Sequence, residues 1–268
     1  YSRRFVMTYP NEQLPAGRPL KMAPAHSDMD AAGAVWGQSW DLEVPLYFAP
    51  QGFSEAPSLK RSNAFDIVGD ECRAVRKDVG LLDITGFSRF EVTGPNAERW
   101  MNRLFATKLP APGRARLAVA LGQDGRLKGD LTLFNWGDGT WWVMGSYYLR
   151  RWHMRWFDDH MEDGVSIRDL GEEMAGFSLS GPNSRAVVER LTDGPVGDLP
   201  FMGCGSFDIG LLRARIGRLS VTGEAGYEIN CRMGDHIALR RLLLEAGADL
   251  GIKEYGFNAL LSLRLEKS

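Results

Sequence analysis

Residues Val92 to Leu104 read VTGPNAERWMNRL, and residues Leu179 to Leu191 read LSGPNSRAVVERL, in one register with no gap. In both, the end of a strand runs into Gly-Pro-Asn, a tripeptide that turns the chain and leaves Asn at a helix N-cap. Beyond the first turn, Ala97, Trp100, Met101, Leu104 and Phe105 fall at i, i+3, i+4, i+7 and i+8, the apolar stripe of an amphipathic helix. Trp100, Met101 and Leu104 recur as Val187, Val188 and Leu191. A unit of strand, turn and helix that returns after 87 residues is spaced too widely for a solenoid and suits two related α+β subdomains.

Working outward, each copy continues with strands and a second helix. Gly86 to Val92 (GFSRFEV) is a strand in which Phe90 and Val92 alternate with charged residues. Asp124-Gly125, between two apolar runs, predicts a hairpin made by Arg116–Leu121 and the strand that ends at Phe134. Trp141–Gly145 (WWVMG) is the next strand, followed by a helix over Tyr148–Met161 with Leu149, Trp152, Trp156, Phe157 and His160 as its apolar stripe. In the second copy, Leu211–Ile216 and Leu219–Cys231 read as strands, the latter with a turn at Gly223–Gly226. A helix over His236–Ala246 follows, capped by Asp235 and closed by Gly247. Ahead of the repeat, Asp70 is expected to cap a helix that stacks Val75 on Val79 and ends in a left-handed Gly80. The order β-α-β-β-α-β in each half predicts α+β: two tandem ferredoxin-like subdomains with mainly antiparallel sheets covered on one face. The ranges expected are a connector at 1–62, a first subdomain at 63–170 and a second at 171–268. Within the connector, Tyr9–Pro24 is extended by its prolines, and Trp36, Trp40, Tyr47 and Phe48 anchor it by packing.

With 268 residues, 44% hydrophobic and 25% charged, the chain has ordinary globular composition and enough length for a large core. A net charge of −2 and a pI near 6.2 argue against a general nucleic-acid or membrane-surface binder and favour small-molecule chemistry. Cys72, Cys204 and Cys231 lie far apart, so neither a disulfide framework nor a zinc site is indicated, and a reducing compartment is expected. No apolar run approaches the roughly 20 residues of a membrane span. The YSRRF opening without Met and the SLRLEKS ending read as those of a piece of a longer chain.

Chemistry has few carriers. His153 and His160 stand seven apart on one helix and His26 and His236 are isolated, which does not suit metal ligation. No nucleophile elbow, phosphate loop or dinucleotide fingerprint occurs. What remains is carboxylates on hairpins. Leu127, Leu131 and Leu133 share one parity, so Asp130 points away from their face. Parity likewise places Glu228 opposite Tyr227, Ile229 and Cys231, while Glu224 lies in the preceding turn. Two equivalent hairpins, one per repeat, could bring Asp130 and Glu228 to one cleft; the alternative is two solvated strand residues. Tyr147 and Tyr148 could wall that cleft or pack in the core, and Arg213, Arg215 and Arg218 could meet an anionic tail or form a solvated face.

Taken together, GLLDITGFSRFEVTGPNAERWMNRL, QDGRLKGDLTL, VTGEAGYEI and SLRLEK resemble the folate-binding aminomethyltransferase family, the T-protein of glycine cleavage and its relatives. The opening YPNEQLPAGRPLKMAPAHSDMDAAGAVWGQSWDLEVPLYFAP and the terminal LEKS resemble the branch that follows the flavin half of dimethylglycine and sarcosine dehydrogenases. The resemblance covers nearly the whole chain and implies the aminomethyltransferase folate-binding fold, with a C-terminal β-barrel domain that this sequence lacks. It implies tetrahydrofolate as cofactor, with FAD only if a flavin domain precedes. The implied partners are the folate, an N-methylated amine or its iminium or formaldehyde product, and a flavin dehydrogenase domain or subunit. The implied location is the cytoplasm or, in a eukaryote, the mitochondrial matrix.

Residue by residue, Asp130 matches the Asp beside the reactive folate nitrogens and Glu228 the Glu that binds the pterin. Glu224 and Tyr148 join Glu228 as candidate cofactor contacts. The Arg that many members carry on the last helix is replaced near Leu260. The function implied is tetrahydrofolate-dependent capture of a methylene or methyl group. An aminomethyltransferase fed by a lipoyl carrier and a non-catalytic folate-binding module are the alternatives.

Overall fold

The computed structural model describes residues 5–267; residues 1–4 and 268, and with them most of the YSRRF opening, lie outside the described residues. The chain begins with α1 (His26–Ala31), a hairpin of β1 (Ala34–Ser39) and β2 (Leu42–Phe48), α2 (Ala64–Lys77) and β3 (Val79–Asp83). The first copy of the repeat comprises β4 (Phe87–Thr93), α3 (Ala97–Leu104), β5 (Arg114–Leu121), β6 (Leu127–Asn135), β7 (Trp141–Ser146), α4 (Arg150–Asp158) and β8 (Ser166–Asp169). The second comprises β9 (Met174–Ser180), α5 (Ser184–Leu191), β10 (Cys204–Ile209), β11 (Leu212–Gly217), β12 (Gly226–Arg232), α6 (His236–Ala246) and β13 (Ile252–Glu254), and α7 (Phe257–Glu266) follows.

The repeat is visible atom by atom. Gly94 and Gly181 have φ of 111° and 133°, and a Cβ at either would lie 2.3 Å from Gly164 O or 2.5 Å from Asp78 O, so only Gly fits the turn. Asn96 and Asn183 occupy the N-cap positions, yet neither side chain caps its helix. Instead their amides donate outward, to Asp163 O at 2.7 Å and Leu250 O at 2.9 Å, which fastens each turn to the neighbouring segment.

The sheets depart from the simple ferredoxin-like arrangement. Their orders are β5-β6-β7-β4-β8 and β10-β11-β12-β9-β3-β13, so each half carries an extra edge strand, β5 or β10. The place that β8 holds beside β4 is held beside β9 by β3, with Leu81 paired to Leu179, and β13 adds to β3 in parallel. Thus β3, although it falls in the 63–170 range read as the first subdomain, belongs to the second sheet. The reason is that all five of its residues are buried, as in a strand covered on both faces. The expected helix end at Val79-Gly80 is therefore a strand, and α2 starts after Asn63, with Asp70 inside it and exposed against Arg73. Leu219–Thr222 is likewise loop rather than strand, because β11 ends at Gly217. On α4 the buried face is His153, Trp156 and Phe157, while Leu149 and Trp152 point to solvent.

Two cores lie on the helix sides of the sheets. One packs Trp100 and Phe157 on Phe90, Leu131, Leu133 and Val143; the other packs Val187, Leu239 and Leu243 on Phe177, Leu179 and Ile229. The opposite sheet faces, expected to be uncovered, meet each other over part of their area. Phe134, Trp142 and Met144 cluster there with Cys204 and Leu219, and a Cβ on Gly217 would lie 2.8 Å from the Phe134 ring. Ala115 N donates to Met202 O at 2.7 Å and Cys204 N to Gly113 O at 2.9 Å, stitching the sheets edge to edge. The connector hairpin is held by Glu71, whose carboxylate accepts Phe48 N at 2.6 Å and Gly256 N at 3.1 Å. Of the expected aromatic anchors Tyr47 is buried, but Trp40 is 55% exposed.

Candidate functional site

The meeting faces carry both carboxylates singled out by parity. On β6, Leu131 and Leu133 enter the first core, which turns Asp130, Thr132 and Phe134 inward toward the second half. Thr132 pairs with Met144, and Met144 with Arg89, so Arg89 lies on the same face. On β12, Ile229 and Cys231 enter the second core, leaving Glu228 and Asn230 on the inner face, with Glu228 paired to Ser178 and Gly217. The strands are not equivalent. Asp130 is on the second strand from its sheet's edge, whereas Glu228 is on the third, the counterpart of β7. Glu228 also follows an irregular loop at 218–225, so the expectation of two matching hairpins does not hold.

Glu228 is only 4% exposed, and among the described residues its carboxylate has no hydrogen-bond or ion-pair partner. Burial pushes its pKa up to about 7, against the pull of the Arg89 charge. Arg89 is fully buried and spends its nitrogens elsewhere. Nε donates to Asn230 Oδ1 at 2.7 Å, Nη1 to Phe87 O at 2.9 Å and Nη2 to Ile84 O at 3.0 Å. Burial lowers the Arg89 pKa to about 10, with Glu228 and Asp83 opposing that shift. Behind it, Asp83 accepts Thr85 N at 2.7 Å and stands 3.6 Å from His236 Nε2, while Ala25 N donates to His236 Nδ1 at 3.4 Å. Desolvation works to raise the Asp83 pKa, but His236 and Thr85 outweigh it and the net shift is downward.

Asp130 is in a different setting: it is exposed to solvent, paired across the hairpin with Val119. Leu117, Val119 and Leu121 share its face and are 66%, 40% and 38% exposed, an unusually apolar flank for an open strand. Directly behind, on the other face, His153 is buried under Gly129, neither ring nitrogen in a hydrogen bond of normal geometry. Burial lowers the His153 pKa, opposed by the nearby Lys128 backbone.

Of the other candidates Arg215 shares this face, paired in register with Asn230, while Glu224, Tyr148 and Leu260 make their contacts elsewhere. Glu224 pairs with Arg76 at 3.1 Å and ties its loop to α2. Tyr148 is 61% exposed and edge-on to Trp40, whereas its neighbour Tyr147 is buried and donates to Asp41 at 3.0 Å. Arg215 reaches Asp138 at 2.9 Å and lies over Trp136 and Trp142, bridging the halves; Arg213 pairs with Asp208 on the surface. Leu260 is buried in an apolar cluster with Val75, Leu82 and Tyr255. Neither Arg89 nor Asp83 stands out in the sequence, and His236 reads there as an isolated histidine. The one sequence signal for Arg89 is its parity, opposite Phe90 and Val92, which reads equally well as a solvated face.

Among the described residues no cluster of three or more His, Cys, Asp or Glu could hold a metal, and no helix is long and apolar enough to cross a membrane. Two surface grooves, lined by Trp152, Arg155 and Asp159 and by Arg99, Arg103 and Glu162, lie on the outer helices away from both carboxylates. In the second groove Glu162 is ion-paired with Arg99 at 3.1 Å and Arg103 at 2.6 Å, unlike Glu228, so the inner faces are the better candidate.

The family model described as the GCVT N-terminal domain matches residues 25–268. Mitochondrial dimethylglycine dehydrogenase of Homo sapiens is 27% identical over 275 residues, covering 100% of this chain and 32% of that protein. Aminomethyltransferase of Bacillus subtilis (strain 168) is 30% identical over 205 residues, 75% of this chain and 57% of that one. The crystal structure of glycine cleavage system aminomethyltransferase T from Bartonella henselae superposes with a TM-score of 0.77 at 23% identity, over 92% of this chain and 62% of that chain. The chain thus spans about a third of the length of the dehydrogenase and less than two thirds of the transferases.

Proposed function

The chain belongs to the GCVT N-terminal domain family, and we propose that it is the tetrahydrofolate-handling part of an enzyme that captures a one-carbon unit. The unit would come from an N-methylated amine such as dimethylglycine or sarcosine. The observation that carries this reading is the buried, unpartnered carboxylate of Glu228 on one inner face, with the solvent-open Asp130 on the facing one. A reduced pterin presents a ring N–H and an amino group side by side, and an ionised carboxylate accepts both at once in charge-assisted bonds. Glu228 has the free acceptor capacity that such an edge requires. When bound, tetrahydrofolate supplies a nitrogen nucleophile for the one-carbon unit. An Asp130 carboxylate oxygen would accept the proton that such a nitrogen gives up. Glu224 and Tyr148 serve the scaffold in this scheme.

Similarity to dimethylglycine dehydrogenase over the full chain supports the amine-derived donor. Oxidation of the amine falls to a flavin-bearing domain or subunit, the proposed partner, and FAD belongs there. Similarity to aminomethyltransferases supports a second reading, in which a lipoylated carrier delivers the unit to the same site. The proposed location is the cytoplasm, or the mitochondrial matrix in a eukaryote.

Calorimetric titration with tetrahydrofolate is the test. The expected result is a saturable heat that Glu228→Gln weakens by about 10-fold or more and Glu224→Gln leaves unchanged. No heat with the unaltered chain would end the folate reading. Product formation from a lipoylated carrier adduct, with none from an N-methylated amine plus its flavin partner, would favour the second reading.

A further inference from the structure

We propose that Arg89 is a positioning residue: it supplies the buried counter-charge of Glu228 without bonding to it, and so makes that carboxylate selective for a neutral two-donor edge over a cationic one. The inference rests on the reading of Glu228 as a ligand anchor. Each of the three guanidinium nitrogens already donates to a fixed acceptor, Asn230 Oδ1, Phe87 O or Ile84 O. These bonds use three of the five guanidinium N–H groups and hold its plane in place, so moving it toward Glu228 would break them in a fully buried setting, which is unfavourable. Its acceptors are themselves held. Ile84 N donates to Gly176 O at 2.9 Å and Phe87 N to Ile84 O at 3.0 Å, while Asn230 is on β12 two residues from Glu228, on the same face. The cation is therefore fixed close to the carboxylate, yet no Arg89–Glu228 ion pair forms and both Glu228 oxygens stay open.

Charge balance gives the selectivity. Arg89 stands against Glu228 and His236 against Asp83, so a ligand cation would compete with a positive charge already in place, whereas neutral N–H donors add none. The other ionisable groups facing this pair are Tyr255, ahead of α7, which senses Glu228, and Asp83 and Cys231, which act on Arg89. His236 faces Asp83 in turn.

The test follows the Glu228 carboxyl by 13C NMR titration, assigned with Glu228→Gln, in the unaltered chain and in Arg89→Lys, Arg89→Gln and Asn230→Asp. Asn230→Asp keeps the guanidinium in place but neutralises it, so it decides the matter even if Arg89→Gln fails to fold. The expected midpoint rises by about one unit or more in Asn230→Asp and Arg89→Gln and stays within a few tenths in Arg89→Lys. A midpoint unmoved in Asn230→Asp overturns the counter-charge. Calorimetry with tetrahydrofolate and with benzamidine, a cationic two-donor probe, reads the selectivity. The unaltered chain should prefer the folate, and Asn230→Asp should gain about 10-fold or more in benzamidine affinity relative to it. No such gain overturns the selectivity. A chain that shows the titration shifts but takes up no tetrahydrofolate overturns the anchor reading, and the selectivity with it.

Discussion

The two inner sheet faces began from the same strand-turn-helix unit and ended as opposites. The first sheet is built from one unbroken stretch, β4 to β8, and its carboxylate, Asp130, stands at an open end beyond the contact made by Phe134 on Gly217. The second borrows β3 from upstream, and its carboxylate, Glu228, is 4% exposed beside a fully buried cation. What differs is cover rather than sequence type. A carboxylate that stays wet can exchange protons with a substrate and solvent, whereas one that is largely buried and left unpaired becomes a demand for hydrogen-bond donors. One fold unit thus yields a reactive position and a holding position.

The contrast is sharpest in an experiment that separates chemistry from stability. Asp130→Asn should lower one-carbon transfer by about 10²- to 10⁴-fold, the range for loss of a proton acceptor. Urea unfolding of the same variant should stay within about 0.5 kcal/mol of the parent, as for an exposed substitution. A large loss of stability with intact turnover would reverse the roles assigned to the two faces. Next in size is a comparison of the helices. Trp100→Ala should cost about 3–5 kcal/mol in urea unfolding, because it empties a large ring from the first core, and Val187→Ala at the matching position about 2 kcal/mol. Equal losses would mean that the copies share more than their pattern.

A smaller effect has a definite sign. The pKa of Glu228 is raised to about 7 in the folded chain, so the native state holds that proton more tightly than the unfolded state. Its contribution is therefore fully favourable below the ordinary carboxyl pKa, declines as pH rises toward 7, and is a penalty above it. Glu228→Gln cannot titrate. Relative to that variant, the parent should lose up to about 3 kcal/mol between pH 5 and pH 8. Glu71 is raised to about 7 by burial as well, but it is present in both proteins and cancels from the difference. A flat difference would show that Glu228 is wetter than its neighbours suggest. Least of all, Glu224→Gln should leave tetrahydrofolate binding unchanged by calorimetry, since its partner Arg76 belongs to α2.

Much of this architecture is written locally. The Gly-Pro-Asn turns, the helix stripe of Trp100 and Met101 and the Asp124-Gly125 hairpin each depend on residues close in sequence, and parity alone turns Asp130 and Glu228 away from the outer cores. Partners distant in sequence are what the pattern cannot show. Arg89 reads as one charged residue of an alternating strand; its burial depends on Asn230, 141 residues away. Val79-Gly80 reads locally as the end of the preceding helix, and only β9 and β13 on either side make this stretch a central strand. The same holds for the strand positions of the carboxylates, because the extra edge strands β5 and β10 shift which hairpin each belongs to.

The borrowed strand also sets a timetable. Leu81 pairs with Leu179, so β3 leaves the ribosome about a hundred residues before its antiparallel neighbour exists. At about 5–20 residues per second, that is a wait of roughly 5–20 s, long enough for the whole first sheet to be made and paired in the interval. An apolar five-residue strand kept idle beside a finished sheet edge is a standing invitation to mispairing. The helix α2 just ahead of it, able to cover Leu82 through Val75, is the part of the chain available to shield it until β9 arrives.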